Sequence, residues 1–270
     1  MVIVMTALPS PRVVVFDMDE TLGHFVQLGG FWDSLERAHG LSLHESHFVD
    51  TLALYPEFVR PGMEVLLAQL VAARNQGDIN AIIMYTNNQG PERWAKYVAA
   101  YFDHMAGAQV FDMIIPAYVV RGRQVSPCRT SHAKSPDDLF RCTGLPPTTR
   151  VCFVDDQDHP PMTAEGVYYI RAPPYVATVF PTELADRYLA RHSGKLAPGF
   201  RQRLGSAMIS QRGGEGHSSL GSHAGDTTSW IRAHIGRFIE LSQPEVTRRR
   251  DRRRRRGGLT RRRRRGLLWS

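Results

Sequence analysis

Short apolar runs separated by polar clusters are the dominant pattern along the first 170 residues of the chain. The runs are rich in β-branched and aromatic side chains, which is typical of parallel strands that are buried on both faces. The pattern predicts strands over residues 12–16, 80–85, 150–154 and 167–170. A polar cluster directly follows each of the first three runs.

Segments with apolar residues at helical spacing lie between these runs. They cover residues 63–73, 92–102 and 136–142, a proline stands near the start of each, and Gly144 follows the third. Such positions of proline and glycine are typical of helix boundaries. Strands that alternate with helices predict an α/β fold with a mostly parallel sheet flanked by helices. Ligands of such sheets bind beyond the carboxyl ends of the strands, where the polar clusters lie.

The composition changes after about residue 195, which we take as the end of the α/β domain 1–195. Many Gly, Ser and His residues predict a flexible linker over 196–229. Apolar residues at helical spacing then predict an amphipathic helix over 230–242. We interpret this helix as docking on the α/β domain, with binding of a partner as the alternative. Residues 243–270 are predicted to be a disordered Arg-rich tail.

The positive charge of the chain is concentrated in this tail. The formal net charge is +8, and residues 248–265 contain 13 Arg and one Asp, so the rest of the chain is mildly acidic. Arg pairs well with phosphate, so the tail is compatible with contacts to nucleic acid or to an acidic or phosphorylated partner. A nuclear targeting signal is equally compatible, and a solvated tail without a partner is the remaining alternative.

The three cysteines, Cys128, Cys142 and Cys152, are odd in number and lack C-x-x-C spacing. This predicts neither a disulfide framework nor a zinc site and favours an intracellular, reducing compartment. The apolar first 16 residues lack a basic leader and a cleavage site, so no signal peptide is expected. No apolar stretch approaches the length of a membrane span, and no membrane association is expected.

The polar cluster after the first predicted strand contains two carboxylates two residues apart, Asp17 and Asp19. If the chain coils there, both can converge on one site, and burial of the pair would require a cation such as Mg²⁺. One Asp can then attack phosphorus and form an aspartyl-phosphate, while the other protonates the leaving oxygen and later activates water. We assign the first role to Asp17 and the second to Asp19. An acidic strand-to-helix turn is the alternative.

The stretch Asp17-Met-Asp-Glu-Thr21 resembles the first motif of the haloacid dehalogenase (HAD) superfamily, and three further motifs follow in the expected order. The second motif, a Ser or Thr after a hydrophobic strand, is matched by Thr86. The resemblance implies that the Thr86 hydroxyl and neighbouring groups, including Asn87, bind the phosphoryl oxygens of the substrate.

The third motif, a Lys ahead of a helix, is matched by Lys134, whose ammonium would offset charge on Asp17 and on the phosphoryl group. The fourth motif, an acidic pair after a strand, is matched by Asp155 and Asp156, and Asp158 could supplement them. Together with the first motif, the resemblance implies that Mg²⁺ is held by Asp17, Asp19, Asp155 and Asp156. It covers residues 11–175 and implies a Rossmann-like HAD core.

Within the superfamily, the first motif together with residues 59–62 resembles the NIF-like group, which contains the C-terminal-domain phosphatases of RNA polymerase II. The resemblance implies a Mg²⁺-dependent phosphomonoester hydrolase. The spacing of the motifs leaves room for a small flap insertion and no large cap domain, and HAD enzymes of that layout have open clefts that suit phosphoserine or phosphothreonine proteins. The alternatives are a polynucleotide-end phosphatase and a non-catalytic HAD-fold module that binds nucleic acid or protein.

Overall fold

The structure of the chain, a computed structural model, describes residues 10–209 and 224–242. Its strands are β1 (Arg12–Phe16), β2 (Ala81–Tyr85), β3 (Met113–Ile115), β4 (Val119–Val120), β5 (Arg123–Gln124), β6 (Arg150–Asp155) and β7 (Val167–Arg171). Five of them form a parallel sheet in the order β3-β2-β1-β6-β7, and β4 and β5 form a separate antiparallel hairpin. The four strands expected from the apolar runs are confirmed. Strand β3 is not among the four apolar runs, because its three residues are too few to make one.

The α-helices of the described residues are α1 (Val26–His39), α2 (Glu45–Leu52), α3 (Met63–Asn75), α4 (Arg93–Ala106), α5 (Pro136–Thr143), α6 (Pro181–Arg191), α7 (Phe200–Ile209) and α8 (Ala224–Ser242). Helices α3, α4 and α5 lie where helical spacing predicted them. The expected α/β fold with a parallel sheet flanked by helices is therefore confirmed, and it is compatible with a Rossmann-like core. No helix in the described ranges is both long and apolar enough to cross a membrane.

Both faces of the sheet are covered, which explains why its strands are continuously apolar. Val14 and Phe16 of β1 face the larger hydrophobic core, which also contains residues of α1, α3, α4 and α8. Val13 and Val15 face a smaller core that includes Leu139 of α5. Because successive side chains of a strand point to opposite faces, every position of β1 between two layers of helices must be apolar.

The register of the central strands brings three polar clusters to one edge of the sheet. Phe16 at the end of β1 pairs with Met84 of β2 and with Val154 of β6. The chain therefore leaves the sheet at neighbouring positions after β1, β2 and β6. These are the carboxyl ends, where the sequence predicts the candidate chemistry.

Helix α7 lies within the predicted linker 196–229, so the linker prediction is wrong for residues 200–209. Phe200 and Leu204 are buried, and the Arg203 Nε donates a hydrogen bond to the Ala38 carbonyl oxygen at 2.9 Å. The Gly- and Ser-rich composition begins only after this helix. The remaining linker residues 210–223 and the tail 243–270 lie outside the described residues.

Helix α8 contains the amphipathic segment predicted over 230–242 but begins six residues earlier, at Ala224. Its residues Ile231, Ile235 and Phe238 are buried in the larger core. The Nδ1 of His234 lies 2.8 Å from the hydroxyl of Tyr168 on β7. The interpretation of this segment as a helix that docks on the α/β domain is confirmed.

Cys128 and Cys142 form a disulfide, so the expectation of no disulfide was wrong. Their Cα atoms lie 5.0 Å apart although 14 residues separate them in sequence. Cys142 lies on α5, and the loop that the bridge closes contains Lys134. Spacing rules do not detect such a pair, because only the fold of the intervening loop brings it together. Disulfides are rare in reducing compartments, so this bridge does not favour the expected localisation.

Candidate metal centre

The loop after β1 turns back on itself directly beyond Asp17. The Leu22 amide donates to the Met18 carbonyl oxygen at 2.9 Å, and Glu20 has a positive φ of 60°. The loop closes against the chain near Phe58, where a Cβ atom on Gly23 would lie 2.3 Å from the Phe58 carbonyl oxygen. Gly23 is therefore needed for this close approach, and the loop has the coiled form that a convergent Asp17 and Asp19 require.

Lys134 lies between two carboxylates in the interior of the protein. Its Nζ donates to Asp17 Oδ1 at 2.5 Å and to Asp155 Oδ2 at 2.7 Å. The Lys134 side chain is 1% exposed and that of Asp155 is fully buried. A buried ion group of this kind is retained only when each charge has close partners, so the three side chains depend on one another. The structure therefore brings together two carboxylates from separate strand ends and a Lys that the sequence placed ahead of a helix.

Asp17, Asp155 and Asp156 form a group that could hold a metal ion, and we call these three residues the carboxylate cluster. One carboxylate oxygen from each lies within 4.8 Å of the others. Asp156 is oriented by Thr21, whose hydroxyl donates to Asp156 Oδ1 at 3.2 Å. Oxygen ligands from a few carboxylates are what Mg²⁺ and similar hard cations prefer.

The charges of the carboxylate cluster do not balance. Burial raises the pKa of Asp17 to about 7, against the opposing effect of Lys134. Burial acts in the same direction on Asp155, but hydrogen bonds from His159 and Lys134 outweigh it and lower the pKa of Asp155. Burial also favours neutral Lys134, yet the two carboxylates outweigh it and raise its pKa. One ammonium cannot neutralise three carboxylates, so the cluster fits an added cation.

Asp19 lies outside the carboxylate cluster, although it was among the four predicted metal ligands. Its Oδ2 accepts a hydrogen bond from the Asn88 Nδ2 at 2.6 Å, and its buried Oδ1 has no hydrogen-bond partner in the part of the chain that the structure describes. Burial is the largest influence on Asp19 and raises its pKa. This environment differs from that of Asp17, because no Lys lies within hydrogen-bond distance of the Asp19 carboxylate in the described residues.

Thr86 and Asn87 follow β2 at the same edge of the sheet. The buried Thr86 accepts a hydrogen bond at its Oγ1 from the Asn88 amide at 3.0 Å, which leaves the hydroxyl hydrogen free to donate. Asn88 then connects Thr86 to Asp19. The Asn87 Nδ2 donates to the His132 carbonyl oxygen at 3.1 Å, and the buried Asn87 Oδ1 has no hydrogen-bond partner within residues 10–209 and 224–242. Asp158, the supplementary candidate, is exposed and lies outside the carboxylate cluster.

Four residues that the sequence did not assign to the site support it: Thr21, Arg60, Asn88 and His159. Arg60 is buried and donates to three carbonyl oxygens, those of Glu20 and Thr21 in the loop after β1 and that of Pro173. It therefore holds that loop against the chain beyond β7. His159 Nε2 lies 3.3 Å from Asp155 Oδ2. The residue types alone give little indication of these roles, because an Arg or His is usually a surface residue and its partners here are mostly backbone atoms.

A comparison of the chain with protein-family models, curated proteins and solved structures found no match in any of the three. The functional interpretation therefore depends on the site itself. That site combines a buried ammonium, a group of carboxylates able to hold a cation, and a separate carboxyl group with a raised pKa. Such a combination can position an anionic substrate and supply both a nucleophile and an acid.

Proposed function

We propose that the chain is a Mg²⁺-dependent phosphomonoester hydrolase of the HAD superfamily that acts on phosphoserine or phosphothreonine proteins. The observation that carries the proposal is Lys134, whose ammonium contacts Asp17 and Asp155 inside a buried group of carboxylates at the carboxyl ends of neighbouring parallel strands. The four sequence motifs that resemble those of the superfamily supply the residues of this group and of its surroundings.

The carboxylate cluster would hold the Mg²⁺ ion. A divalent cation there would offset the negative charge that Lys134 leaves uncompensated and would stabilise the charge on the phosphoryl oxygens. The Lys134 ammonium contacts Asp17 and would also donate a hydrogen bond to a phosphoryl oxygen. Thr86 donates its free hydroxyl hydrogen to another phosphoryl oxygen, and Asn87 lies beside it.

Asp17 acts as the nucleophile in this proposal. One of its carboxylate oxygens forms a bond to phosphorus while the bond from phosphorus to the substrate oxygen breaks, which gives an aspartyl-phosphate. A water molecule then attacks the phosphorus of this intermediate, which regenerates the Asp17 carboxylate and releases inorganic phosphate. Two displacements replace one difficult hydrolysis.

Asp19 transfers the protons. Its raised pKa favours the protonated form that can donate to the leaving oxygen of the substrate in the first displacement. The resulting carboxylate then accepts a proton from the attacking water in the second. The Asn88 Nδ2 donates to the Asp19 Oδ2, so we assign this transfer to the Asp19 Oδ1, which has no hydrogen-bond partner among the described residues.

The proposed substrate is a phosphoprotein because the site carries no large insertion in the described residues. The segment between β1 and α3 contains only α1, α2 and a short 3-10 turn, and the segment between β3 and α5 contains only the β4–β5 hairpin. We propose that these form a small flap rather than a cap, which leaves the cleft accessible to a segment of another protein.

The test is Mg²⁺-dependent hydrolysis of p-nitrophenyl phosphate by the full chain, by Asp17→Asn and by the matched control Asp158→Asn. We expect a loss of activity of about a thousandfold or more in Asp17→Asn, because the nucleophile is removed. Asp158→Asn should retain activity, because that carboxylate is exposed and outside the cluster. Equal activity of the wild type and Asp17→Asn would refute the proposal. Activity on a 3′-phosphorylated oligonucleotide but not on phosphopeptides would instead identify a polynucleotide-end phosphatase.

A further inference from the structure

A cleft of about 160 Å³ opens next to the candidate site, between the start of α4 and the β4–β5 hairpin. Thr86 and Asn88 form one end of it. Because Asn88 also donates to Asp19, the cleft continues directly from the residues proposed to bind the phosphoryl group and to protonate the leaving oxygen. The cleft is therefore positioned to receive the group attached to that leaving oxygen.

The lining of the cleft is mainly apolar. Its apolar residues are Pro91, Ala95, Pro116, Ala117, Val120 and Val125. Its charged residues are Arg121 and Glu92, and Glu92 forms an ion pair with Lys96 at 2.8 Å. Val125, directly after β5, is 42% exposed and so offers an apolar side chain at the surface of the cleft. The volume is smaller than the roughly 300 to 1,000 Å³ of pockets that enclose a whole small-molecule ligand, so it suits a single aliphatic side chain. None of the residues that line it is aromatic, so it lacks the stacking surface that unpaired bases use.

Arg121 lies at the rim of the cleft in an unfavourable backbone conformation. It has a φ of 49° and the following Gly122 a φ of 78°, at the two central positions of the β4–β5 turn. Turns with positive φ at both positions strongly prefer Asn-Gly or Asp-Gly, and a bulky residue there is uncommon. The Arg121 side chain makes no ion pair within the described part of the chain. A strained cation without a partner beside a site is a reason to look for a ligand.

We propose that this cleft binds the polypeptide of the substrate beside its phosphorylated residue, with one aliphatic side chain against Val120 and Val125 and an acidic side chain at Arg121. This inference rests on the proposed phosphatase function and specifies its substrate class. The aliphatic contact supplies most of the discrimination, because it is desolvated in the cleft. The contact at Arg121 is exposed and adds a smaller, salt-sensitive preference.

The first experiment compares phosphoserine peptides in which a single Leu is moved through the positions that flank the phosphoserine, with Ser as the reference residue. We expect one Leu position to raise kcat/KM about tenfold over Ser, as for burial of a small apolar group in an enzyme pocket. Val125→Gln should abolish this preference. The ratio of kcat/KM for the Leu peptide to that for p-nitrophenyl phosphate should fall by the same factor. Val65→Gln is the control, because Val65 is an exposed valine of α3 outside the cleft.

The second experiment tests Arg121 with Arg121→Asn. Asn-Gly is favoured in this turn, so the variant should have a Tm equal to or above that of the wild type, and lost selectivity cannot then be attributed to misfolding. We expect the preference for a peptide with Glu over one with Gln to disappear, a change of at most about fivefold at low salt. Arg123→Gln is the control, because Arg123 is an exposed residue of the same hairpin that does not line the cleft.

The outcomes separate this proposal from the proposed function. A wild type that hydrolyses p-nitrophenyl phosphate but treats the Leu and Ser peptides equally would overturn the cleft proposal alone. A wild type inactive on p-nitrophenyl phosphate and on the peptides would overturn the proposed function. In that case, fluorescence polarisation of the labelled peptides still tests the cleft. Tighter binding of the Leu peptide that is lost in Val125→Gln would support it, and equal binding would overturn it.

Discussion

Among the described residues, two clusters of interacting polar side chains differ in whether their groups satisfy one another. The carboxylate cluster lies with Lys134 at the carboxyl ends of the strands. The second cluster, which we call the histidine cluster, consists of His39 at the end of α1, His47 of α2, and Tyr188 and His192 at the end of α6. Both bring titratable groups together from distant parts of the sequence.

The histidine cluster is satisfied internally. The buried Tyr188 hydroxyl lies 2.9 Å from His39 Nε2 and 2.7 Å from His47 Nε2, so it can donate to one ring and accept from the other. The His192 ring stacks on that of Tyr188, with 4.2 Å between the ring centroids, and its Nδ1 lies 2.9 Å from the Tyr188 carbonyl oxygen. The lowered pKa values of His39 and His47 favour the neutral forms of these two rings.

The carboxylate cluster, by contrast, has one ammonium for three carboxylates, and the nearby Asp19 has a buried oxygen without a hydrogen-bond partner among the described residues. Burial of polar groups alone therefore does not identify a functional site. A cluster whose members are hydrogen-bonded to one another and carry no uncompensated charge stabilises the fold. A cluster with an excess of negative charge is a candidate site for a cation.

The largest expected effect comes from Lys134→Met, which removes the only ammonium of the carboxylate cluster but keeps most of the side-chain volume. Breaking a buried ion group leaves uncompensated charge, so we expect a loss of about 3 to 5 kcal/mol in the free energy of unfolding, measured with urea. Activity should also fall by at least about a hundredfold. Lys96→Met is the control, because the Lys96–Glu92 pair is exposed. An equally small change in the free energy of unfolding of both variants would contradict the excess negative charge that we assign to the carboxylate cluster.

A divalent cation should have the opposite effect on the same cluster. If Mg²⁺ binds only the folded state, a concentration of 100 times its Kd should stabilise the protein by about 2.7 kcal/mol, measured as a rise in Tm. Asp156→Asn should reduce this rise, whereas Asp158→Asn should retain it, because only Asp156 belongs to the cluster. An unchanged Tm in Mg²⁺ and in other divalent cations would mean that the carboxylates serve only the fold.

Tyr188→Phe tests the claim that the histidine cluster stabilises the fold. The change removes the hydroxyl that contacts both His39 and His47, so we expect a loss of about 1 to 2 kcal/mol in the free energy of unfolding. The ratio of activity to folded protein should not change. Tyr118→Phe is the matched control, because the Tyr118 hydroxyl makes no hydrogen bond within the described residues. A selective loss of activity in Tyr188→Phe would place the histidine cluster in the functional site.

The smallest expected effect is the pH dependence of stability that the histidine cluster contributes. Burial, together with the neighbouring His192, lowers the pKa of both His39 and His47 below the usual value, with Arg203 contributing at His39 and Asp50 opposing at His47. The unfolded chain therefore binds protons more readily. This contribution is complete above about pH 6.5 and is lost as the pH falls through the lowered pKa values of the folded state.

The measurement is the Tm of the wild type and of His47→Gln between pH 7.5 and about pH 5. The difference between the two proteins isolates the contribution of His47 from that of Asp17 and other acids, which titrate in both. We expect the wild type to lose more stability than His47→Gln as the pH falls. His104→Gln, at an exposed histidine of α4, should follow the wild type. Parallel curves for wild type and His47→Gln would disprove the proposed contribution.

The sequence predicted those parts of the fold that depend on local pattern. The runs that became β1, β2, β6 and β7 were recognisable because strands between two layers of helices must be apolar at every position. Their carboxyl ends then located Asp17, Thr86 and Asp155 on one edge of the sheet. Lys134 was identified by resemblance, and its Nζ contacts the carboxylates of Asp17 and Asp155.

The elements that were missed depend on distant partners. Helix α7 was read as linker because its few apolar residues give a weak helical pattern, and their burial depends on packing against α1. The disulfide depends on the path of the loop between Cys128 and Cys142. Asn88 and Arg60 are ordinary polar residues in sequence, and their importance comes from hydrogen bonds to Asp19 and to carbonyl oxygens of the loop after β1.

The sequence by itself determined the α/β architecture and the edge of the sheet where the chemistry lies, because hydrophobic periodicity is a local property of the chain. The tertiary structure decided which carboxylates contact Lys134 and placed Asp19 against Asn88, outside the carboxylate cluster. It also decided that the β4–β5 hairpin forms a cleft beside Thr86. Distances between side chains set the balance of buried charge. Those distances arise only when segments far apart in sequence are packed together.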